Sequence, residues 1–181
     1  MTTRLWLVRH GETDWTAAGR LNGWCDVRLN QRGRDQARAV SGRLKRQHFV
    51  TVWSSDLWRA AETARLAYGE PVVDARVREL DFGTLEGLTW GGLSRGVQDA
   101  LVRFDGFEAP GGETIAMMRC RVLDLLGELG PGEHLVFTHG GVIRLLLRTM
   151  RMDREVKPGA LVVLMLAQRA RPRRPSTWTV R

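Results

Sequence analysis

The stretch HLVFTHGGVIRLLLRTM, residues 134–150, passes without interruption from an apolar strand-like segment through a glycine pair into a helical run of leucines. A strand that feeds directly into a helix cannot close a tight hairpin, so its sheet partner is reached by a crossover and lies parallel. The same alternation recurs upstream. Residues 4–8 read as a short buried strand, and residues 10–30 as a polar, glycine-punctuated loop. Residues 31–45 read as a helix with Ala37, Val40 and Leu44 on one face. FVTVWSS is a second strand, Asp56 a helix N-cap, and LWRAAETARLA a helix that ends near Gly69. PVVDARV is a third strand, and residues 83–112 are loop-rich with two short helices. Residues 113–129 form the strongest helix, with Ile115, Met118, Val122, Leu125, Leu126 and Leu129 at helical spacing before a GPG stop. ALVVLMLA then gives a buried strand, followed by a basic turn and a terminal hairpin through STWTV. The expected fold is α/β, a three-layer α/β/α sandwich on a mostly parallel central sheet, with residues 1–181 forming one domain.

Several function classes fall away on composition. Apolar residues make up 43% of the chain and no low-complexity run or repeat interrupts it, which argues for an ordered globular protein. The longest apolar run, residues 160–167, is far below a membrane span, and the apolar segment at the N-terminus is too short for a signal-peptide core. A soluble, cytoplasmic protein is expected. Cys25 and Cys120 read as free thiols, and neither they nor His10, His48, His134 and His139 show metal-ligand spacing. The formal charge of +8 is almost all arginine, since Lys45 and Lys157 are the only lysines. These arginines are scattered over helices apart from RARPRRP near the C-terminus, so a solvated face outweighs nucleic-acid binding, and a small anionic substrate gains from the same field.

Position then singles out two histidines. His10 closes the first strand and His139 the fourth. Functional groups in open α/β sheets gather at the carboxyl ends of strands, so both imidazoles face one crevice. Arg59, early in the helix after the second strand, reaches the same rim, and Glu79 follows the third strand. Arginine forks match the oxygens of a phosphate monoester. Glycine after each histidine lets backbone N–H groups approach the anion, and the helix opening at Gly140 adds its positive end. A neutral imidazole can attack phosphorus, and a protonated carboxyl group can protonate the departing alkoxide. No metal and no cofactor are needed, because the arginines and the second histidine neutralise the transferring group.

The ordered motifs LVRHGETDW, SSDLWRAAETA, RELDFGTLEG, PGGET and THGGVIR resemble the histidine phosphatase superfamily, which includes cofactor-dependent phosphoglycerate mutases and many small phosphatases. The resemblance covers residues 5–148 and implies a phosphoglycerate mutase-like fold. It implies His10 as nucleophile, Arg9, Arg59 and His139 as holders of the phosphoryl group, and Glu79 as acid and then base. Thr16 stands where the family usually has Asn, and Asn22, before Gly23, where it often has Gln or Ser; both are carried as phosphate-binding candidates with Gly23 and Gly140. Glu113 in PGGET is expected to partner an active-site arginine.

Plainer readings compete at some positions. Asp81 and Glu86 lie close enough to Glu79 to be mistaken for it, with Glu86 the structural one. His48 and His134 precede strands at the opposite sheet end and read as surface residues. The tryptophans read as packing residues, although Trp24 and Trp90 sit in loops able to overhang the crevice. Mutases of the family must shield the phosphoenzyme from water and carry a longer insertion and tail; here residues 86–113 are short and little follows STWTVR. The expected activity is therefore hydrolysis of a small phosphorylated metabolite, and the segments look similar to alpha-ribazole-5'-phosphate phosphatases. A mutase is the alternative, and a non-catalytic phosphate-binding module a third. The apolar final strand offers a surface for a homodimer.

Overall fold

A computed structural model describes residues 2–166. Within it, β1 (Thr3–Arg9), β2 (Thr51–Ser54), β3 (Val72–Val73), β4 (Gly132–Thr138) and β5 (Leu161–Leu166) form one sheet in the order β3-β2-β4-β1-β5. The pairs β1–β4, β2–β4 and β2–β3 are parallel, and β5 joins β1 antiparallel. Between them run α1 (Asp14–Ala17), α2 (Gln31–Leu44), α3 (Trp58–Ala67), α4 (Arg95–Arg103), α5 (Ile115–Glu128) and α6 (Gly140–Thr149).

Alternation along the central strands sends side chains to two cores. Leu5, Leu7 and Val136 pack with Met118, Val122 and Leu125 of α5 and with Val142 and Ile143 of α6. Val8, Leu135 and Phe137 point the other way, onto Val40 and Leu44 of α2 and Ala64 and Ala67 of α3. Helices on both faces leave the strand ends as the place where polar side chains can gather.

The structure departs from the expected elements at several positions. The third strand is only two exposed residues long. The Asp74 side chain accepts from Arg76 N at 2.8 Å and starts a 3₁₀ turn at Ala75–Val77, which ends the extended run. Asp56 does not cap α3, because its carboxylate is forked by Arg78 at 2.7 and 2.5 Å. Asp26, from the distant loop, supplies the oxygen for Trp58 N instead, at 2.7 Å. α5 begins after Glu113, since Thr114 is the N-cap and accepts from Met117 N at 3.0 Å. His134 is buried, not on the surface, because it lies on β4 between two neighbouring strands. The expected hairpin through STWTV, the end of the ALVVLMLA strand at Ala167 and the RARPRRP cluster lie outside the described residues.

Candidate active site

The parallel register of β1 on β4 ends at Arg9 opposite Thr138, so the next residue of each strand leaves the sheet beside the other. Those residues are His10 and His139. His10 N donates to Thr138 O at 2.9 Å, and the two ring centroids lie 5.1 Å apart with planes tilted by 59°. Both side chains are buried. His10 Nδ1 sits 2.7 Å from Gly11 O. A carbonyl can only accept, so Nδ1 carries the proton and Nε2 keeps its lone pair. His139 has no partner on either nitrogen among the described residues.

Arg59 is fully buried from the second position of α3. Its Nη atoms donate to the carbonyls of Cys25 (3.0 Å), Asn22 (3.2 Å) and Gly23 (2.5 Å), while Nε has no partner. Arg9 donates from Nη1 to Val156 O, and its Nε is likewise unpaired. Neither guanidinium forms an ion pair among the described residues. Burial pulls the Arg59 pKa down to about 10 and lowers that of Arg9, with the Glu79 charge the largest opposing influence on both. Burial, followed by the Arg59 charge, holds His10 and His139 well below the ordinary 6.5. Each unpaired buried polar group costs about 1–3 kcal/mol, so a cluster of them beside two guanidiniums that form no ion pair suits an anion.

Glu79 meets the first turn of α6. Its Oε1 accepts from Leu80 N and its Oε2 from Gly141 N, each at 3.0 Å. A Cβ on residue 141 would lie 2.2 Å from Glu79 Oε1, and one on residue 140 would lie 3.2 Å from Arg9 Cζ. The two glycines thus make room for the acid and the arginine. Of the glycines that follow the histidines, Gly11 differs from the expectation that its N–H faces the anion, since that group is given to Thr63 Oγ1 at 3.1 Å; Gly141 N is given to Glu79. Gly11 is small because its loop rests on α2, where a Cβ would fall 2.2 Å from Gly33 O.

A cavity of about 670 Å³ opens over this cluster. Arg9, His10, Thr16, Asn22, Glu79 and Gly140 line it, whereas Arg59, His139 and Gly23 are buried and do not. The Thr16 hydroxyl is already committed, accepting from Thr13 N at 2.8 Å and donating to Thr13 O at 3.0 Å in the capping box of α1. Asn22 donates to Thr13 Oγ1 at 3.2 Å and keeps its buried Oδ1 free. Trp90 lines the cavity; Trp24 instead donates from Nε1 to Glu79 O at 2.9 Å. Glu86 accepts from Trp24 N and Cys25 N of the distant loop, both at 2.6 Å, and Asp81 Oδ1 from the nearby Gly83 N, so each is occupied by backbone N–H groups. Glu113 partners Arg121 rather than Arg9 or Arg59. Arg121 carried no signal in the sequence: it is one arginine among many on helices, and only the packing of α5 under residues 76–79 distinguishes it. His48 is exposed, as expected of a surface residue, and Cys25 and Cys120 are free and exposed. Among the described residues no group of three or more His, Cys, Asp or Glu converges as metal ligands would.

A mostly parallel α/β sheet that presents His10, Arg9 and Glu79 to one cavity, with the His139 imidazole and the Arg59 guanidinium buried beside His10, defines a class of histidine-centred phosphoryl-transfer proteins. The chain belongs to the histidine phosphatase superfamily (branch 1), whose family model matches residues 5–159. It is 38% identical to phosphoglycerate mutase-like protein 4 of Arabidopsis thaliana over 160 residues, 80% of this chain and 70% of that one. It is also 38% identical to the metal-independent phosphoserine phosphatase of Arabidopsis thaliana, over 78% of this chain and 66% of that one. Among solved structures, TTHB049 from Thermus thermophilus superposes with a TM-score of 0.84 at 44% identity, covering 89% of this chain and 92% of its own. Phosphoglycerate mutase from the same organism gives 0.85 at 42% identity, covering 93% and 99%. No helix of the described residues is long and apolar enough to cross a membrane.

Proposed function

We propose that this chain is a metal-independent phosphomonoesterase that hydrolyses a small phosphorylated metabolite through a phosphohistidine. The observation that carries this reading is the His10–His139 pair, 5.1 Å apart and buried with the unpaired Nε atoms of Arg9 and Arg59. In the first step the His10 Nε2 lone pair forms a bond to phosphorus as the bond to the leaving oxygen breaks, and Glu79 gives that oxygen its proton. Arg9, Arg59 and His139 hold the phosphoryl oxygens and take up the charge that develops there. In the second step Glu79 accepts a proton from water, the oxygen attacks phosphorus, and the N–P bond breaks to restore the neutral imidazole. Asn22 and the first turn of α6 at Gly140 border the same oxygens, with Gly23 shaping the Arg59 carbonyl cradle and Thr16 the wall.

The leaving group occupies the rest of the cavity, where Phe82, Trp90, Leu101 and Phe104 provide an apolar wall. That wall supports a leaving group with an apolar body, such as the alpha-ribazole part of alpha-ribazole 5'-phosphate with its flat aromatic base, over a compact hydroxy acid. Phosphoserine is a candidate from the name of one relative, and a mutase activity from those of others. Water as acceptor is supported by the short segment between Glu86 and Glu113, which folds into a 3₁₀ turn and α4 and leaves the cavity open.

The test is a radiolabelled phosphate donor with acid quench. Acid-labile, alkali-stable label on His10 and release of inorganic phosphate insensitive to chelator are expected. Interconversion of phosphoglycerates faster than phosphate release, after priming with the bisphosphate, would replace the phosphatase by the mutase. Glu79→Gln is expected to lower kcat/KM for alkyl phosphates by about 10²-fold and for p-nitrophenyl phosphate far less, because nitrophenolate leaves unprotonated. Equal losses on both would give the acid role to another group.

A further inference from the structure

Residues 78–82, which carry Glu79, belong to no strand or helix, so no ladder of backbone hydrogen bonds holds them. A side chain from below takes over that task. Arg121 on α5 donates from Nη1 to the carbonyls of Arg76 (2.9 Å) and Arg78 (2.7 Å), and from Nη2 to that of Glu79 (2.8 Å). Its remaining donors clasp Glu113, Nε to Oε1 at 2.8 Å and Nη2 to Oε2 at 2.7 Å. All five guanidinium N–H groups are thereby used. Glu113, nearly buried, accepts a further bond on Oε2 from Asp81 N at 3.1 Å. The acid's own stretch of chain is therefore gripped on both sides of Glu79 by one planar fork and its carboxylate.

We infer that Arg121, oriented by Glu113, is the positioning residue for Glu79. This rests on the assignment of Glu79 as proton donor made above. The Glu79 carboxyl group is aimed by Leu80 N and Gly141 N, but those bonds fix only its direction; the height of the residue is set by where its carbonyl is tied, to Arg121 Nη2 and also to Trp24 Nε1 at 2.9 Å, and of these two donors Arg121 also holds the carbonyls of Arg76 and Arg78. Proton transfer demands hydrogen-bond contact with the leaving oxygen, and a displacement of about 1 Å costs as much as 10²-fold. Lysine at 121 keeps the charge but is a point donor without the fork, so it cannot hold three carbonyls and a carboxylate at once. The packing of α5 does not require this arrangement: its apolar face is buried through Ile115, Met118, Val122 and Leu125.

The test compares Arg121→Lys and Glu113→Gln with the wild-type chain, using kcat/KM for p-nitrophenyl phosphate and for β-glycerophosphate. That parameter reports transfer to His10 and not the later hydrolysis. The alkyl-to-aryl ratio is expected to fall at least about tenfold in Arg121→Lys and about threefold in Glu113→Gln, where the amide keeps one acceptor. Folded variants whose two substrates decline in parallel, or whose ratio equals that of the wild type, overturn the inference and leave Arg121 as a structural tie. If Arg121→Lys does not fold by circular dichroism, the ratio in the near-isosteric Glu113→Gln decides the matter. Wild-type protein without label on His10 would sink the functional reading itself. Labelled wild type with a leaving-group-sensitive Glu79→Gln, beside an insensitive Arg121→Lys, sinks this inference alone.

Discussion

The two ends of β4 each bury a histidine, and the two are treated in opposite ways. At the amino end, His134 Nδ1 meets Thr51 Oγ1 at 2.7 Å and its Nε2 meets Gly130 O at 3.0 Å. A carbonyl acceptor at Nε2 makes that nitrogen the donor and leaves Nδ1 to accept from the threonine hydroxyl. Every polar atom of the ring is satisfied. At the carboxyl end, His139 is just as inaccessible and has no partner on either nitrogen among the described residues. Burial is equal, so burial does not mark function; the unmet hydrogen-bonding capacity does. The strand's amino end is closed by the Gly130 turn returning with its own carbonyl, whereas the carboxyl end opens on a cavity flanked by cations.

The difference is testable by substitution. The largest effect belongs to the neighbour of His139: His10→Ala is expected to reduce kcat/KM for p-nitrophenyl phosphate more than about 10⁴-fold with an unchanged far-ultraviolet spectrum. Survival of a tenth of the activity would mean that another atom attacks phosphorus. His139→Ala is expected to cost about 10²–10³-fold, the usual worth of one donor to a developing oxyanion, while weakening the fold less than loss of a satisfied ring does. His134→Ala reverses the pattern: about 2–4 kcal/mol less stability in denaturant unfolding, from the cavity and from two stranded partners, with turnover per folded molecule within about twofold. Were both alanine variants to lose turnover alike, the contrast between the strand ends would have no functional content.

The smallest effect is one of pH. His10 and His139 are held below 6.5 in the folded chain, first by burial and then by Arg59, so the unfolded chain binds more protons once the pH falls through that value. Stability then drops as acid is added, from near the ordinary histidine pKa down to the depressed folded ones. Melting temperatures without phosphate are expected to fall between about pH 7.5 and 5.5, and to fall less in His139→Ala, which loses one of the two groups. An equal slope in that variant would place the proton uptake elsewhere.

Much of this was readable from the chain. The helices α2, α3, α5 and α6 carry apolar residues at helical spacing and the strands β1 and β4 are strongly apolar, so local pattern and tertiary packing agree on them. Prediction failed where side chains from afar supplied what local sequence was expected to supply. Asp56 looks like a cap until Arg78 claims it and Asp26 caps α3 in its place. PVVDARV looks like a strand until Asp74 turns it. His134 looks like a surface residue until the sheet closes around it. Glu113 reads as the partner of an active-site arginine, and the arginine it holds is Arg121 on α5 rather than Arg9 or Arg59.

What the sequence determined by itself is the set of elements and the residues at their ends: periodicity decides which faces are apolar, and a polar residue after a buried strand has nowhere to go but the rim. What only the tertiary structure decided is which polar atoms find partners. The parallel register sets His10 against His139, and the irregular chain around Glu79 takes its support from an arginine far along the sequence. Hydrogen-bond satisfaction depends on distances between segments that share no local pattern, so it is settled by packing and cannot be read from spacing.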